Sequence, residues 1–107
     1  MIFQFNTDKT IHGDQRHQDH FEALITKEIS RYHAHISRID VHLSDENGKK
    51  KGVKDIRCLL EAQIVRSEPI IAIELADTVE LAVAGAIQKL KASLDKVHEH
   101  ISAHQKI

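Results

Sequence analysis

Cysteine, proline and glycine are scarce in this chain, and each scarcity removes a class of explanation. Cys58 is the single cysteine, which excludes an internal disulfide, a cysteine-based zinc site and a CxxC redox pair, and suits a reducing cytosol. One proline and four glycines in 107 residues leave no low-complexity linker and no glycine-rich phosphate loop. An excess of either charge is also missing. Fifteen Lys and Arg stand against sixteen Asp and Glu, for a formal charge of −1, so bulk electrostatics give no argument for nucleic acid, although a local basic face is compatible with that sum. The N-terminal MIFQFNTDKT contains no apolar signal region, and no segment approaches the ~20 apolar residues of a membrane span. A soluble, cytoplasmic protein is expected, with no membrane partner.

What is present is a globular composition, 41% hydrophobic and 29% charged, over a length that suits one domain spanning 1–107. Residues Ile2 to Asn6 form a short β-rich run with Phe3 and Phe5 on one face. In DQRHQDHFEALITKEISRY, the positions Phe21, Leu24, Ile25, Ile29 and Tyr32 recur at three- and four-residue steps, which predicts a helix from about residue 14 to 34. The period then changes to two. Ile39, Val41 and Leu43 face one way, and Arg38, Asp40 and His42 the other. After Asn47-Gly48, a turn signal, alternation resumes from Val53: Ile56, Cys58, Leu60, Ala62 and Ile64 against Asp55, Arg57, Leu59, Glu61 and Gln63. A second turn falls at Arg66 to Pro69, and a further strand, Ile70 to Leu75, is expected to turn Ile71, Ile73 and Leu75 inward.

Asp77 or Thr78 then caps a long helix. Val79, Ala82, Val83, Ala86, Ile87, Leu90, Leu94, Val97 and Ile101 form its apolar stripe, interrupted by Gly85 at a cost in helix propensity. Its last residues, from about 102 to 107, are polar and expected to fray. The order is β-α-β-β-β-α, an α+β fold in which a four-stranded sheet carries two helices on one face and leaves the other open.

Catalysis finds no constellation of nucleophile, base and orienting group. Alternation places Cys58 on the buried face, as a small core residue rather than a nucleophile. Asp40, Asp55 and Glu61 share the open face with Arg38, Arg57 and His42, a mixture that cross-strand ion pairs explain without acid–base chemistry. The chain is therefore read as a non-enzyme, with no small-molecule substrate and no cofactor. The run SDENGKKKG lacks the ligand spacing of a calcium loop, and its lysines oppose a cation. Nine histidines include His17 with His20 and His100 with His104 at helical spacing. Without further ligands they read as a polar surface that gains charge below about pH 6.5, not as a metal site.

Two groups of cations remain. Lys49, Lys50 and Lys51 are either a solvated hairpin tip that discourages edge pairing or a flexible probe for phosphates. Lys27 and Arg31 are four apart on the first helix, Lys89 and Lys96 seven apart on the second, and Lys91 lies on another flank. None belongs to an apolar stripe. Two parallel helices on one side of a sheet would set them side by side as a groove for RNA phosphates.

RIDVHLSDENG, D-I-R-C-L-L-E-A from Asp55 to Ala62, Pro69, and the helix T-V-E-L-A-V-A-G-A-I-Q-K-L resemble the ribosome-associated, hibernation-promoting factor family over nearly the whole chain. The resemblance implies the same β-α-β-β-β-α fold. It also implies binding to the small ribosomal subunit between head and body, and suppression of translation in starvation or stationary phase. Long members add a C-terminal domain that pairs ribosomes; by resemblance this chain is a short form without it. Lys89 matches the family's K-L position, Lys96 a basic position one to two turns later, and Arg31 the basic residue beside the aromatic Tyr32. Ala92 and Glu80 depart from the family's Arg and Tyr, and His98 and His100 replace part of a Lys-rich tail. The expected RNA-binding set is Lys27, Arg31, Lys49, Lys50, Lys51, Lys89, Lys91 and Lys96. The alternative is a stress-related protein-interaction domain that uses the open sheet face or an edge strand, where Leu59 would matter more than the lysines.

Overall fold

The computed structural model describes residues 2–7, 15–45 and 56–105, with side chains for all of these except 15–17 and 98–105. The elements are β1 (Ile2–Thr7), α1 (Gln15–Glu28), a 3-10 segment (Ser30–His35), β2 (Ile36–Asp45), β3 (Ile56–Ile64), β4 (Ile70–Ala76) and α2 (Val79–Gln105). The strands form one sheet in the order β1-β2-β3-β4. β1 runs parallel to β2, and the other two pairings are antiparallel. A parallel neighbour needs a crossover, and the segment containing α1 supplies it. The α+β architecture and the β-α-β-β-β-α order match those read from periodicity.

One face of the sheet is sealed. Ile39, Val41, Leu43, Cys58, Leu60, Ala62, Ile64 and Ala72 are buried beneath Phe21, Ile25 and Ile29 of the α1 region and Ala82, Val83, Ala86, Ile87, Leu90 and Leu94 of α2. Phe3 and Phe5 pack against the same cluster from β1. Among the described residues no polar or charged residue is buried, so the core depends on apolar burial at roughly 25 cal/mol per Å2. The two helices meet the sheet through side chains of different size. Large aromatic and branched residues project from α1, whereas α2, packed on β3 and β4, buries the small Ala82 and Ala86 together with the larger Val83, Ile87, Leu90 and Leu94.

Two expectations are corrected. The first helix does not run to residue 34: α1 ends at Glu28 and the chain winds more tightly from Ser30 to His35. The Ser30 hydroxyl donates to the Lys27 carbonyl (3.2 Å), and the Tyr32 N–H donates to Ile29 O (2.9 Å), an i to i−3 bond. Such competing bonds end an α-helical ladder while Tyr32 stays buried. The second correction concerns β4. Ile71, Ile73 and Leu75 are 56%, 38% and 45% exposed, while Ala72 is buried. Register is the cause. Leu60 pairs with Ala72, Cys58 with Glu74 and Ala62 with Ile70, and paired residues of antiparallel strands share a face, so the larger side chains of β4 are the outward ones. On the open face, an ion pair runs along β2 from Arg38 Nε to Asp40 Oδ1 (2.9 Å), and Arg38 also donates across to the Gln4 amide oxygen of β1. The Asn47-Gly48 turn, the start of β3 from Val53, and Lys49 to Lys51 lie outside the described residues.

The turn between β3 and β4 occupies the expected place. Arg66 takes φ 61° there, and the Ser67 N–H donates to Ile64 O (3.2 Å). Thr78 is the residue that caps α2: its Oγ1 accepts from the Leu81 N–H (3.1 Å) and its carbonyl from the Ala82 N–H (3.0 Å), the N-cap arrangement.

Candidate nucleic-acid interface

The helical layer carries the described cations on three surfaces. Lys91 lies on the flank of α2 that faces α1, where its Nζ meets Glu28 Oε2 at 2.9 Å. That bond, reinforced by the Lys91 charge and more weakly by Lys27, holds the Glu28 carboxyl below its ordinary pKa of 4.5 against the opposing effect of desolvation. Lys27 and Arg31 are exposed near the end of α1. Arg31 places its guanidinium carbon 5.3 Å from the centre of the Tyr32 ring, a cation–π distance that positions the head group over a buried aromatic.

Lys89 is elsewhere. Two residues from Lys91, it is about 200° further round the helix, and it reaches over the outer side of β4. Its Nζ donates to Ile73 O at 2.8 Å and meets Glu74 Oε1 at 3.2 Å. Lys96, seven residues on, follows the same flank and is exposed. As expected from spacing, Lys91 lies on another flank from Lys89 and Lys96; it is tied to the end of α1 through Glu28, near which Lys27 and Arg31 are exposed, while Lys89 and Lys96 follow the opposite side of α2.

Two acidic residues that sequence reasoning did not single out organise this layer. Glu28 joins the helices through Lys91. Glu74 lies on the helix side of β4 and is seated against Gly85: a Cβ added there would stand 2.1 Å from Glu74 Oε2 and 2.5 Å from its Cγ. Gly85 is therefore where the Glu74 side chain crosses α2 on its way to Lys89. The signal in the sequence was the Gly85–Lys89 spacing of four, one helical turn, opposite the only charge in IIAIELA.

No described arrangement assembles other chemistry. Among the described residues, no group of three or more His, Cys, Asp or Glu is placed to hold a metal ion. His20 stands edge-on to Phe21 at 5.2 Å. Cys58 is fully buried, and burial pushes its thiol from 9.0 up to about 12, which removes thiolate reactivity at neutral pH. No helix among the described residues is long and apolar enough to cross a membrane.

The fold is shared with solved structures. A ribosomal subunit interface protein from Coxiella burnetii superposes with a TM-score of 0.72 at 17% identity, covering 92% of this chain and 99% of that one. The N-terminal domain of Protein Y from Thermus thermophilus gives 0.72 at 14% identity, with 91% and 99% covered. No curated protein matches the sequence significantly. The family model described as Sigma 54 modulation protein / S30EA ribosomal protein matches residues 10–102, so the chain belongs to that family of ribosome-associated proteins.

Proposed function

We propose that this protein binds the small ribosomal subunit through the RNA backbone, occupies the decoding region and suppresses translation under stress, acting in the cytoplasm and without enzymatic activity. Family membership over residues 10–102 carries the ribosomal part of this reading, and the two relatives of like fold are a subunit interface protein and Protein Y. The layout of cations supports the mode of contact. The Lys91–Glu28 pair ties α2 to α1, and Lys27 and Arg31 project exposed beside that junction, so a phosphate chain laid along the groove meets positive charge from both helices. Lys89 and Lys96 extend the basic surface to the far flank of α2, and the Lys49 to Lys51 segment adds reach. Surface ion pairs are worth about 0–1 kcal/mol, so exchanging Glu28 or Glu74 for a phosphate costs Lys91 or Lys89 little.

The test is co-sedimentation of the purified protein with isolated small subunits over a salt series. Affinity should fall steeply with salt, because phosphate contacts release counterions. Lys27→Glu, Arg31→Glu and Lys96→Glu alter exposed residues and should leave the melting curve in place. Each should weaken binding and flatten the salt slope by about one contact. Unchanged binding by the triple variant would remove these residues from the interface; absence of binding at low salt would remove the small-subunit reading itself. One observation favours the protein-interaction alternative as a second activity: Ile71, Ile73 and Leu75 stand exposed on the open face.

A further inference from the structure

β4 ends the sheet of described strands, and its free side can be read residue by residue. The Val65 N–H donates to His35 O at 2.9 Å, and the Ser37 hydroxyl donates to Gln63 O at 3.3 Å. Odd-numbered residues of β3 thus direct their backbone groups toward β2, and the even-numbered ones toward β4. The β4 partners of those even residues are Ile70, Ala72 and Glu74. Backbone direction alternates along a strand, so Ile71, Ile73 and Leu75 aim both N–H and C=O at the free edge. Lys89 confirms the direction, since its ammonium reaches Ile73 O from the outer flank of α2.

These same three residues carry the exposed apolar side chains of the open face, with Leu59 behind Ile73 across the β3–β4 pair. An edge whose backbone groups have no strand partner among the described residues, on a high-β-propensity, proline-free run, is a template for another strand. We propose that its occupant is a second copy of this chain, with the two β4 strands antiparallel about Ile73. The pattern is self-complementary about that point. Ile73 meets its own counterpart, and Ile71 meets Leu75 of the other copy. All three pairs then consist of outward-facing residues that exchange both backbone bonds, and the side chains continue one apolar strip across the axis.

Charge on the opposite face also fits. Ala72 of one copy falls opposite Glu74 of the other, and the two Glu74 carboxylates alternate with the two Lys89 ammonium groups around the axis. The assembly therefore buries no excess of one sign. Lys89 now covers the central acceptor with one bond from a half-exposed side chain, a lysine guard of the kind that edge strands use. A lone guard of this type is readily exchanged for a ladder of backbone bonds. A two-fold pairing of identical patches closes at two copies and joins the four-stranded sheets into one. This inference does not rest on the ribosomal reading.

Sedimentation equilibrium of the full chain from about 10 µM to about 1 mM would read the pairing directly. The mass should rise with concentration from 12.2 kDa to twice that value. In the paired state the amides of Ile71, Ile73 and Leu75 should exchange roughly tenfold or more slowly than at the lowest concentration. Ile71→Lys changes a residue that is 56% exposed and should hold the chain at monomer mass with an unaltered melting curve. Ile73→Pro removes an outward N–H that an edge strand does not use internally and should do the same. A monomer at every concentration with freely exchanging edge amides would overturn the proposal. So would a dimer that survives both variants, or edge amides protected only when ribosomal subunits are added, which would assign the edge to another partner.

Discussion

Replacing Gly85 with alanine tests the packing argument most directly. In an open helix interior the change stabilises by about 1 kcal/mol, the difference in intrinsic propensity. Here the added Cβ would lie 2.1, 2.5 and 2.7 Å from Glu74 Oε2, Cγ and Cδ, inside van der Waals contact, so the Glu74 side chain must swing away. That displacement removes the Lys89–Glu74 pair, whose side chains are 55% and 32% exposed and whose worth is therefore at most ~1 kcal/mol. The two effects oppose each other, and Gly85→Ala alone should fall within about 1 kcal/mol of the parent. In a Glu74→Ala background the obstacle is gone and the same change should deliver the full ~1 kcal/mol. The double-mutant cycle should thus show a coupling of about 0.5–1 kcal/mol between positions 74 and 85. Urea denaturation resolves it: with a slope of ~2 kcal/mol/M, 1 kcal/mol moves the midpoint by about 0.5 M. Equal stabilisation in both backgrounds would show that Glu74 is not what keeps position 85 a glycine. Loss of more than ~2 kcal/mol in the Glu74→Ala background would place the obstacle in the backbone of β4 instead.

Other outcomes follow from single contacts. Thr78→Ala removes the side-chain acceptor for the Leu81 N–H and should cost about 0.5–2 kcal/mol, while Thr78→Ser should restore most of it, both read from urea midpoints. Cys58, with its thiol raised from 9.0 to about 12, should carry roughly a thousandfold less thiolate than a free cysteine at pH 8. Native protein should therefore resist alkylation, and prompt labelling without denaturant would contradict the buried placement. Because that folded value lies above the unfolded one, Cys58 also favours the folded state below pH 9.0 and loses that contribution as pH rises from there toward about 12. Glu28 works in the other direction. Its folded pKa lies below 4.5, so its contribution is present above 4.5 and lost as pH falls through the folded value. Lys91→Met should remove that part of the acid dependence in pH-jump melting, and an unchanged acid limb would argue against the Glu28–Lys91 contact.

Periodicity made most of the fold legible because the elements bury one face each. The β2 and β3 alternation and the α2 stripe translate directly into burial. β4 escaped because IIAIELA sets Ile71, Ile73 and Leu75 on one face against Ile70, Ala72, Glu74 and Ala76 on the other, so hydrophobicity alone favoured the first set. The deciding fact was the pairing of Leu60 with Ala72, a register set by the turn around Arg66 and not by local pattern. The cations show the same limit. Their positions on the helices were readable, but their allocation to two flanks depends on which side of α2 faces α1, and that is settled by Glu28 and Glu74, residues without a motif of their own.

The small and the large residues of the core follow two rules of substitution. At Ala72, Ala82 and Ala86, all buried, little volume remains to be removed and an added methylene strains the fit. At Phe21, Ile25, Ile29, Ile87, Leu90 and Leu94, also buried, truncation leaves a void costing ~2–5 kcal/mol. The α1 region presents only the second kind, whereas α2 presents both within one stripe. Along α2, a single turn therefore separates Ala86, which refuses a larger side chain, from Leu90, which refuses a smaller one.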